Sequence, residues 1–255
     1  MFYNNSSNSA VHSGGVLYHG RGFGAGEKLD VNIIQGVIAD PKYGQGISFD
    51  RPVLAADPDR NGVYVGANAV WFEDTHSLGS GLFVSQDNGA TFKKYNLNLA
   101  SPPLHMAVDS QGTLFATHYG KFLGPNEVVG ELLKFTSINP ATYKVVNIPV
   151  RASPVAKITN GALDDKRYSV WPGPLIVSDN SAKSLFRGRL YLLWAEPKTI
   201  QPGPSTSFDT APYGVDFNIM ISHSTDAGET WSTPKMVSDD RTGADQVFPS
   251  LALDE

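Results

Sequence analysis

The stretch Ser224-Thr225-Asp226-Ala227-Gly228-Glu229-Thr230-Trp231 shares four of its eight residues, at the same positions, with Ser85-Gln86-Asp87-Asn88-Gly89-Ala90-Thr91-Phe92. We call residues 85–92 the first box and residues 224–231 the second box. Each box follows a short apolar run and matches S-x-D-x-G-x-T before an aromatic residue. A carboxylate that accepts backbone N–H groups, a glycine that allows a positive φ, and flanking hydroxyls suit a tight turn. The pattern therefore predicts a β-hairpin at each box, with the aromatic residue opening the next strand.

A second pattern is a proline, a short apolar run and an aspartate-led turn, and it begins at Pro52, Pro103, Pro174 and Pro249. The first three copies lead through a glycine into a second apolar run. Together the two patterns give a unit of four strands, in which A follows the proline, B follows the glycine, and C and D flank the box. The predicted units are 15–48 (incomplete), 52–98, 103–148 (with a degenerate box at 137–143), 174–238, and a last one starting at 249. Repeated units of this kind predict an all-β chain of four-stranded antiparallel blades, as in a β-propeller.

Composition excludes several classes of function. Hydrophobic residues make up 41% of the 255 residues, and 25 Gly and 17 Pro suit many short strands joined by turns. A formal net charge of −5 argues against a nucleic-acid partner. No apolar run approaches the roughly 18–20 residues of a membrane span. The absence of cysteine excludes disulfides and thiol catalysis, and the six histidines lack a metal-binding spacing, so we predict no metal and no cofactor.

The boxes resemble the Asp-box (BNR) repeat of the sialidase superfamily. Gly20-Arg21, followed by Asp30-Val31-Asn32-Ile33, is also similar to the first blade of a sialidase, although the F/Y-R-I-P motif that precedes this blade in catalytic members is absent. Sialidases have six blades, so the resemblance implies that about four blades of a six-bladed propeller are visible here. The alternative is a four-bladed ring that the last strand closes. Residues 1–14 are expected to form a disordered leader rather than a signal peptide.

The strand order assigns each connection to one of two edges of a blade. The A–B and C–D connections share one edge and are short. The B–C and D–A connections share the other, which we call the long-loop face, and are predicted to be long, at 67–80, 117–129, 149–173, 195–216 and 238–248. Long loops on a rigid scaffold often carry function, and aromatic faces stack on sugar rings. The predicted substrate-binding residues are Trp71, His118, Tyr119, Trp171 and Tyr213.

The sialidase resemblance also implies a catalytic set. Sialidases hold the substrate carboxylate with three arginines, and the planar fork of arginine suits a carboxylate. On this basis Arg21, Arg51 and Arg241 are the predicted cluster, and Asp30 is the predicted acid. No Tyr–Glu nucleophile pair is assigned. The box residues are expected to be structural, because they lie at the edge opposite the long-loop face.

The sequence thus predicts a sialidase-like propeller that hydrolyses or binds a glycan or glycoprotein through the long-loop face. If it is an enzyme, the resemblance implies an exo-sialidase that acts outside the cytoplasm, in an extracellular, periplasmic or cell-surface location. The alternative is a non-catalytic Asp-box propeller that serves as a protein- or carbohydrate-interaction module. The fold alone does not choose between the two, because propellers host unrelated functions.

Overall fold

The computed structural model describes residues 17–23, 28–35, 39–40, 45–71, 77–97, 99, 103–122, 128–135, 142–152, 155–157, 167–169, 173–201, 213–239 and 243–254. Strands dominate these residues, and their one helical element is the 3-10 turn Pro58–Arg60. None of the described helices is long and apolar enough to cross a membrane. The chain divides into two compact units, Met1–Pro103 (unit 1) and Leu104–Glu255 (unit 2).

Unit 1 contains a two-stranded and a five-stranded sheet. In the larger sheet, β4 to β7 form an antiparallel meander in sequence order, which is the four-strand arrangement predicted for residues 52–98. Val65, Ala67 and Phe83 form its buried core, and Ile34 of β2 and Phe92 of the first box pack against them. The strands are β1 (Leu17–Phe23), β2 (Lys28–Gln35), β3 (Ala39–Asp40), β4 (Gln45–Asp57), β5 (Gly62–Trp71), β6 (Ser77–Ser85) and β7 (Lys93–Leu97).

Unit 2 contains a four-stranded and a six-stranded sheet. The first is the antiparallel meander β8 (His105–Val108), β9 (Leu114–Phe122), β10 (Val128–Phe135) and β11 (Lys144–Ala152). The second has the antiparallel strands β14 (Leu175–Ser178), β15 (Leu190–Gln201), β16 (Tyr213–Ser224) and β17 (Lys235–Met236). The hairpin β12 (Val155–Lys157) and β13 (Arg167–Ser169), which the sequence did not predict, joins β16 through a parallel pairing at Gly214.

Among the described residues of unit 2, one apolar cluster joins the two sheets. Fully buried side chains from both sheets meet in it, namely Phe115, Leu132, Ile176, Leu190, Leu192 and Trp194. A hydrogen bond also links the two sheets, since the Thr117 hydroxyl in β9 donates to the carbonyl of Pro174, the residue before β14, at 2.6 Å. These apolar runs form strands because their β-branched, leucine and aromatic side chains are buried on stacked sheet faces.

Several strands are longer than the sequence suggested, so the predicted difference in loop length was wrong in part. Residues 72–76 separate β5 from β6, whereas residues 58–61 separate β4 from β5, and these connections are similar in length. Some of the polar residues that suggested loops lie instead in strands, where a cross-strand partner continues the ladder. His118, for example, lies opposite Glu131. Residues 202–212 still separate β15 from β16.

The strand predicted after Pro249 does not form. Residues 243–254 adopt no regular secondary structure. The chain before Pro249 instead runs beside the start of β16, where the Phe217 N–H donates to Asp245 Oδ1 (3.1 Å) and the Gln246 N–H donates to the Phe217 carbonyl (2.9 Å). A strand needs a partner ladder for its backbone groups, and no described strand pairs with this segment. The degenerate box and the leader fall mainly or wholly outside the described residues.

Candidate functional site

The first box forms the predicted hairpin between β6 and β7. The Ser85 hydroxyl donates to the Asp87 carboxylate (2.6 Å) and accepts the Gly89 N–H (2.8 Å). The same carboxylate accepts the N–H of Thr91 (2.9 Å) and its hydroxyl (2.6 Å). Asn88 and Gly89 both have positive φ, at 57° and 80°. The residues that the motif specifies therefore close the turn, and Asn88, at a variable position, adds two hydrogen bonds to Asn61.

The second box repeats this network between β16 and β17. The Ser224 hydroxyl donates to Asp226 (2.8 Å) and accepts the Gly228 N–H (2.8 Å), while Asp226 accepts the N–H (2.9 Å) and the hydroxyl (2.5 Å) of Thr230. The hydrogen bonds from Thr230 and then Ser224 lower the pKa of Asp226 to about 2. Those from Ser85 and Thr91 likewise hold the pKa of Asp87 well below its ordinary value. Both carboxylates are ionised at neutral pH and engaged within their own hairpins.

The second box also contacts the neighbouring sheet of unit 2. Glu229, at a variable position of the motif, lies 2.5 Å from Lys144 Nζ and 3.1 Å from Lys134 Nζ. These two hydrogen bonds lower the pKa of Glu229, with Lys144 contributing more. Gly228, in the same box, packs so closely that an added Cβ would lie 2.6 Å from Leu132 Cδ2. The box thus closes a turn and docks one sheet on another.

The predicted catalytic residues of unit 1 lie in three strands. Arg21 in β1 and Asp30 in β2 are directly opposite in the backbone register. Arg51 lies in β4 at an irregularity in its pairing with β5. The structure therefore brings Arg21 and Asp30 together in register, while Arg241 and Trp171 fall outside the described residues. The convergence of three arginines stays a prediction.

The four predicted binding residues that the structure describes lie in strands rather than in loops, contrary to expectation. Trp71 is the last residue of β5, and Tyr213 is the first residue of β16, where it is partly buried. His118 and Tyr119 are neighbours within β9, and each is only 3% exposed. The Tyr119 ring belongs to the core of unit 2. The side chains of His118 and Tyr119 are therefore buried in unit 2 rather than displayed to solvent.

His118 is paired with a carboxylate that sequence reasoning did not predict as its partner. His118 Nε2 lies 3.1 Å from Glu131 Oε2, across the β9–β10 ladder. Gly120 makes room for this carboxylate, because an added Cβ would overlap Glu131 Cδ. In the sequence, the only indication of this pair is Gly120, two residues after His118 in the same strand. That spacing identifies Glu131 as the partner only once the register of β9 against β10 is known.

Burial keeps this histidine neutral. Desolvation lowers the pKa of His118 below its ordinary value, and the nearby Glu131 charge opposes that shift. The pair occupies the part of β9 and β10 that extends beyond β8, whose pairing with β9 ends at Thr117. It thus lies on the long-loop side of the sheet. A neutral imidazole beside a carboxylate can accept or relay a proton.

We predict that Gly120→Ala lowers the pKa of His118 further. The new methyl group displaces the Glu131 carboxylate, and the attraction that stabilises the imidazolium is lost. Glu131→Gln removes the same charge without adding volume and should have an effect in the same direction. The measurement is an NMR titration of the imidazole resonances. His105, whose pKa is lowered by burial and whose ring contacts the Ile176 carbonyl, is the internal reference and should not change. An unchanged His118 pKa in both variants would contradict the pairing.

A second polar contact lies in the corresponding part of the other sheet. Trp194, which is fully buried in β15, donates its indole N–H to Glu196 Oε2 at 2.9 Å. Strands β15 and β16 also continue beyond β14, whose pairing ends at Leu193, and they carry Lys198 and Asp216, whose charged groups are 2.9 Å apart. Both sheets of unit 2 therefore present carboxylates on the side opposite the box.

Comparison with known proteins adds no family assignment. No protein-family model matches the chain, and no curated protein is significantly similar to it. Within the described part of the chain, no group of three or more histidine, aspartate or glutamate side chains could hold a metal ion.

Proposed function

We propose that this chain is a sialidase-like Asp-box β-propeller that hydrolyses or binds a glycan through its long-loop face. The observation that carries the proposal is that the two boxes have the same hydrogen-bond network. Both close the turn after the third strand of a four-strand meander, and they do so with the same hydrogen bonds. Equivalent hairpins at equivalent corners are characteristic of repeated sheets such as propeller blades.

The polar groups on the long-loop side support a glycan as the ligand. In both sheets of unit 2 the second and third strands extend beyond the first. These extensions carry the carboxylates of Glu131 and Glu196, with Tyr213 beginning β16. Carboxylates and an aromatic ring are the groups that bind sugar hydroxyls and stack on pyranose faces.

The test compares two arginine variants on a fluorogenic sialoside. If the chain is a sialidase, Arg51→Ala should lower kcat/KM by about 100-fold or more, because a lost charge-assisted pair is worth roughly 3 kcal/mol. The matched control is Arg187→Ala, an exposed arginine in the loop before β15, which should leave kcat/KM unchanged.

The same proteins are then applied to immobilised glycans. Binding without hydrolysis, weakened by Arg51→Ala and not by Arg187→Ala, would identify the chain as a carbohydrate-interaction module rather than an enzyme. A wild-type protein that neither hydrolyses the sialoside nor binds any glycan would refute the proposal.

A further inference from the structure

A cavity of about 680 Å³ opens in unit 2, on the edge that carries the second box. Its walls are the turn after β8 (residues 109–113), the loop before β15 (residues 185–189), and box residues 225–227, with Lys134 beside them. We call it the box-side cavity. It lies at the end of the sheets opposite the His118–Glu131 pair, so it is distinct from the long-loop face.

The loop that forms one wall is held in a defined shape by its own hydrogen bonds. The Asp179 carboxylate accepts the N–H of Ser181 (3.2 Å) and the hydroxyl of Ser184 (2.6 Å). The Ser184 hydroxyl in turn accepts the N–H of Phe186 (3.0 Å). Gly188, at φ +87°, closes the loop by donating its N–H to the Asp179 carbonyl (2.8 Å). The apex of the loop is therefore fixed rather than free to fold back on the core.

This fixed apex presents apolar side chains to solvent. Leu185 is 96% exposed and Phe186 is 49% exposed. The equivalent connection after β8 is a short turn, in which Asp109 accepts the N–H groups of Gln111 and Thr113. The loop before β15 thus has an apolar apex that the turn after β8 lacks. Fixed, adjacent apolar side chains at the wall of a cavity are typical of an interaction site.

The same loop supplies cationic donors that are not paired with carboxylates. The Arg189 guanidinium lies 4.2 Å from the centre of the Phe186 ring, and neither Arg187 nor Arg189 forms an ion pair with a carboxylate of the described residues. The two carboxylates of the cavity, Asp109 and Asp226, already accept hydrogen bonds within their own turns. The lining thus carries three cations, Lys134, Arg187 and Arg189, against two carboxylates, and it is net cationic in a chain of net charge −5.

We propose that the box-side cavity binds an acidic, apolar-containing segment of a partner polypeptide. A carboxylate of the segment binds the Arg187 and Arg189 guanidinium groups, and an apolar side chain packs on Leu185 and Phe186. The apex favours a polypeptide over an anionic sugar, because Leu185 offers no planar face and the Arg189 guanidinium lies over the Phe186 ring, where a sugar ring would stack. This inference goes beyond the proposed glycan function and does not depend on it.

The test is selection of a random-peptide display library on the immobilised full-length protein, followed by titration with labelled synthetic peptides. The expected enriched sequences combine Asp or Glu with leucine or an aromatic residue. In fluorescence anisotropy, Arg187→Glu should weaken binding by about 10- to 100-fold, through loss of a charge-assisted contact. Leu185→Ser should weaken it by roughly 5-fold, through loss of apolar burial.

The matched control is Lys183→Glu, which makes the same charge change at an exposed position of the same loop that does not line the cavity. It should leave the affinity within about twofold, because exposed charges are screened by salt. Failure to enrich acidic peptides, or equal losses in Arg187→Glu and Lys183→Glu, would overturn the proposal. Displacement of the labelled peptides by an anionic polysaccharide, but not by the same peptides without label, would also overturn it.

Discussion

Replacing Gly228 with alanine is expected to destabilise the protein by roughly 3 kcal/mol, because two penalties combine. The residue has φ +85°, a conformation that costs an L-amino acid about 1–2 kcal/mol. The new Cβ would also lie 2.6 Å from Leu132 Cδ2, in the core that joins the two sheets of unit 2. The free energy of unfolding from denaturant titration is the measurement.

Comparison with Gly188→Ala separates the backbone cost of the positive φ from the cost of the steric clash. Gly188 has nearly the same φ, +87°, but nothing lies within 4 Å of the position that a Cβ would occupy there, so only the backbone cost of about 1–2 kcal/mol applies. Leu132→Ala alone should cost about 3 kcal/mol. Combined with Gly228→Ala it should cost less than the sum of the single losses, because the clash disappears. Equal losses at Gly228 and Gly188 would show that the box does not pack on the neighbouring sheet.

Ser224→Ala is expected to lower the free energy of unfolding by about 2 kcal/mol, because it leaves the buried Gly228 N–H without its acceptor. Ser85→Ala should have an equal effect, since the Ser85 hydroxyl accepts the Gly89 N–H at the same distance. Thr225→Ala and Gln86→Ala change exposed positions of the same boxes and should each stay within about 0.5 kcal/mol of wild type. A large difference between the two serine variants would contradict the equivalence of the boxes.

Ser224→Ala should also alter how the free energy of unfolding depends on pH. The folded-state pKa of Asp226, about 2, is below its ordinary value of 3.8. Its ionised form therefore stabilises the folded state above about pH 4, and this contribution is lost as the pH falls toward 2. Ser224→Ala removes one hydrogen bond to the carboxylate, so the pKa should rise and the acid-induced loss should become smaller. Denaturant titrations over this pH range measure the difference.

The hairpins could be predicted from the sequence because their chemistry is local. In each box the serine, aspartate, glycine and threonine bond to residues at most four positions away. The strand ends could not be predicted in the same way. His118 looked like a loop residue because it is polar, and its partner Glu131 is defined only by the register of β9 against β10. Pro249 begins a pattern that matches a strand, yet a strand also requires a neighbouring ladder.

The contacts of Glu229 suggest how duplicated hairpins can diverge. The positions that the motif fixes bond among themselves, while Glu229, between two of them, reaches Lys134 and Lys144 of another sheet. The first box has Ala90 at this position. The Glu229 side chain makes none of the hydrogen bonds that close its own turn, so a substitution there is expected to change the contacts of the hairpin with its neighbour and leave the turn intact. A chain that repeats this hairpin can therefore pack each copy against a different neighbour, while the hydrogen bonds within every copy stay the same.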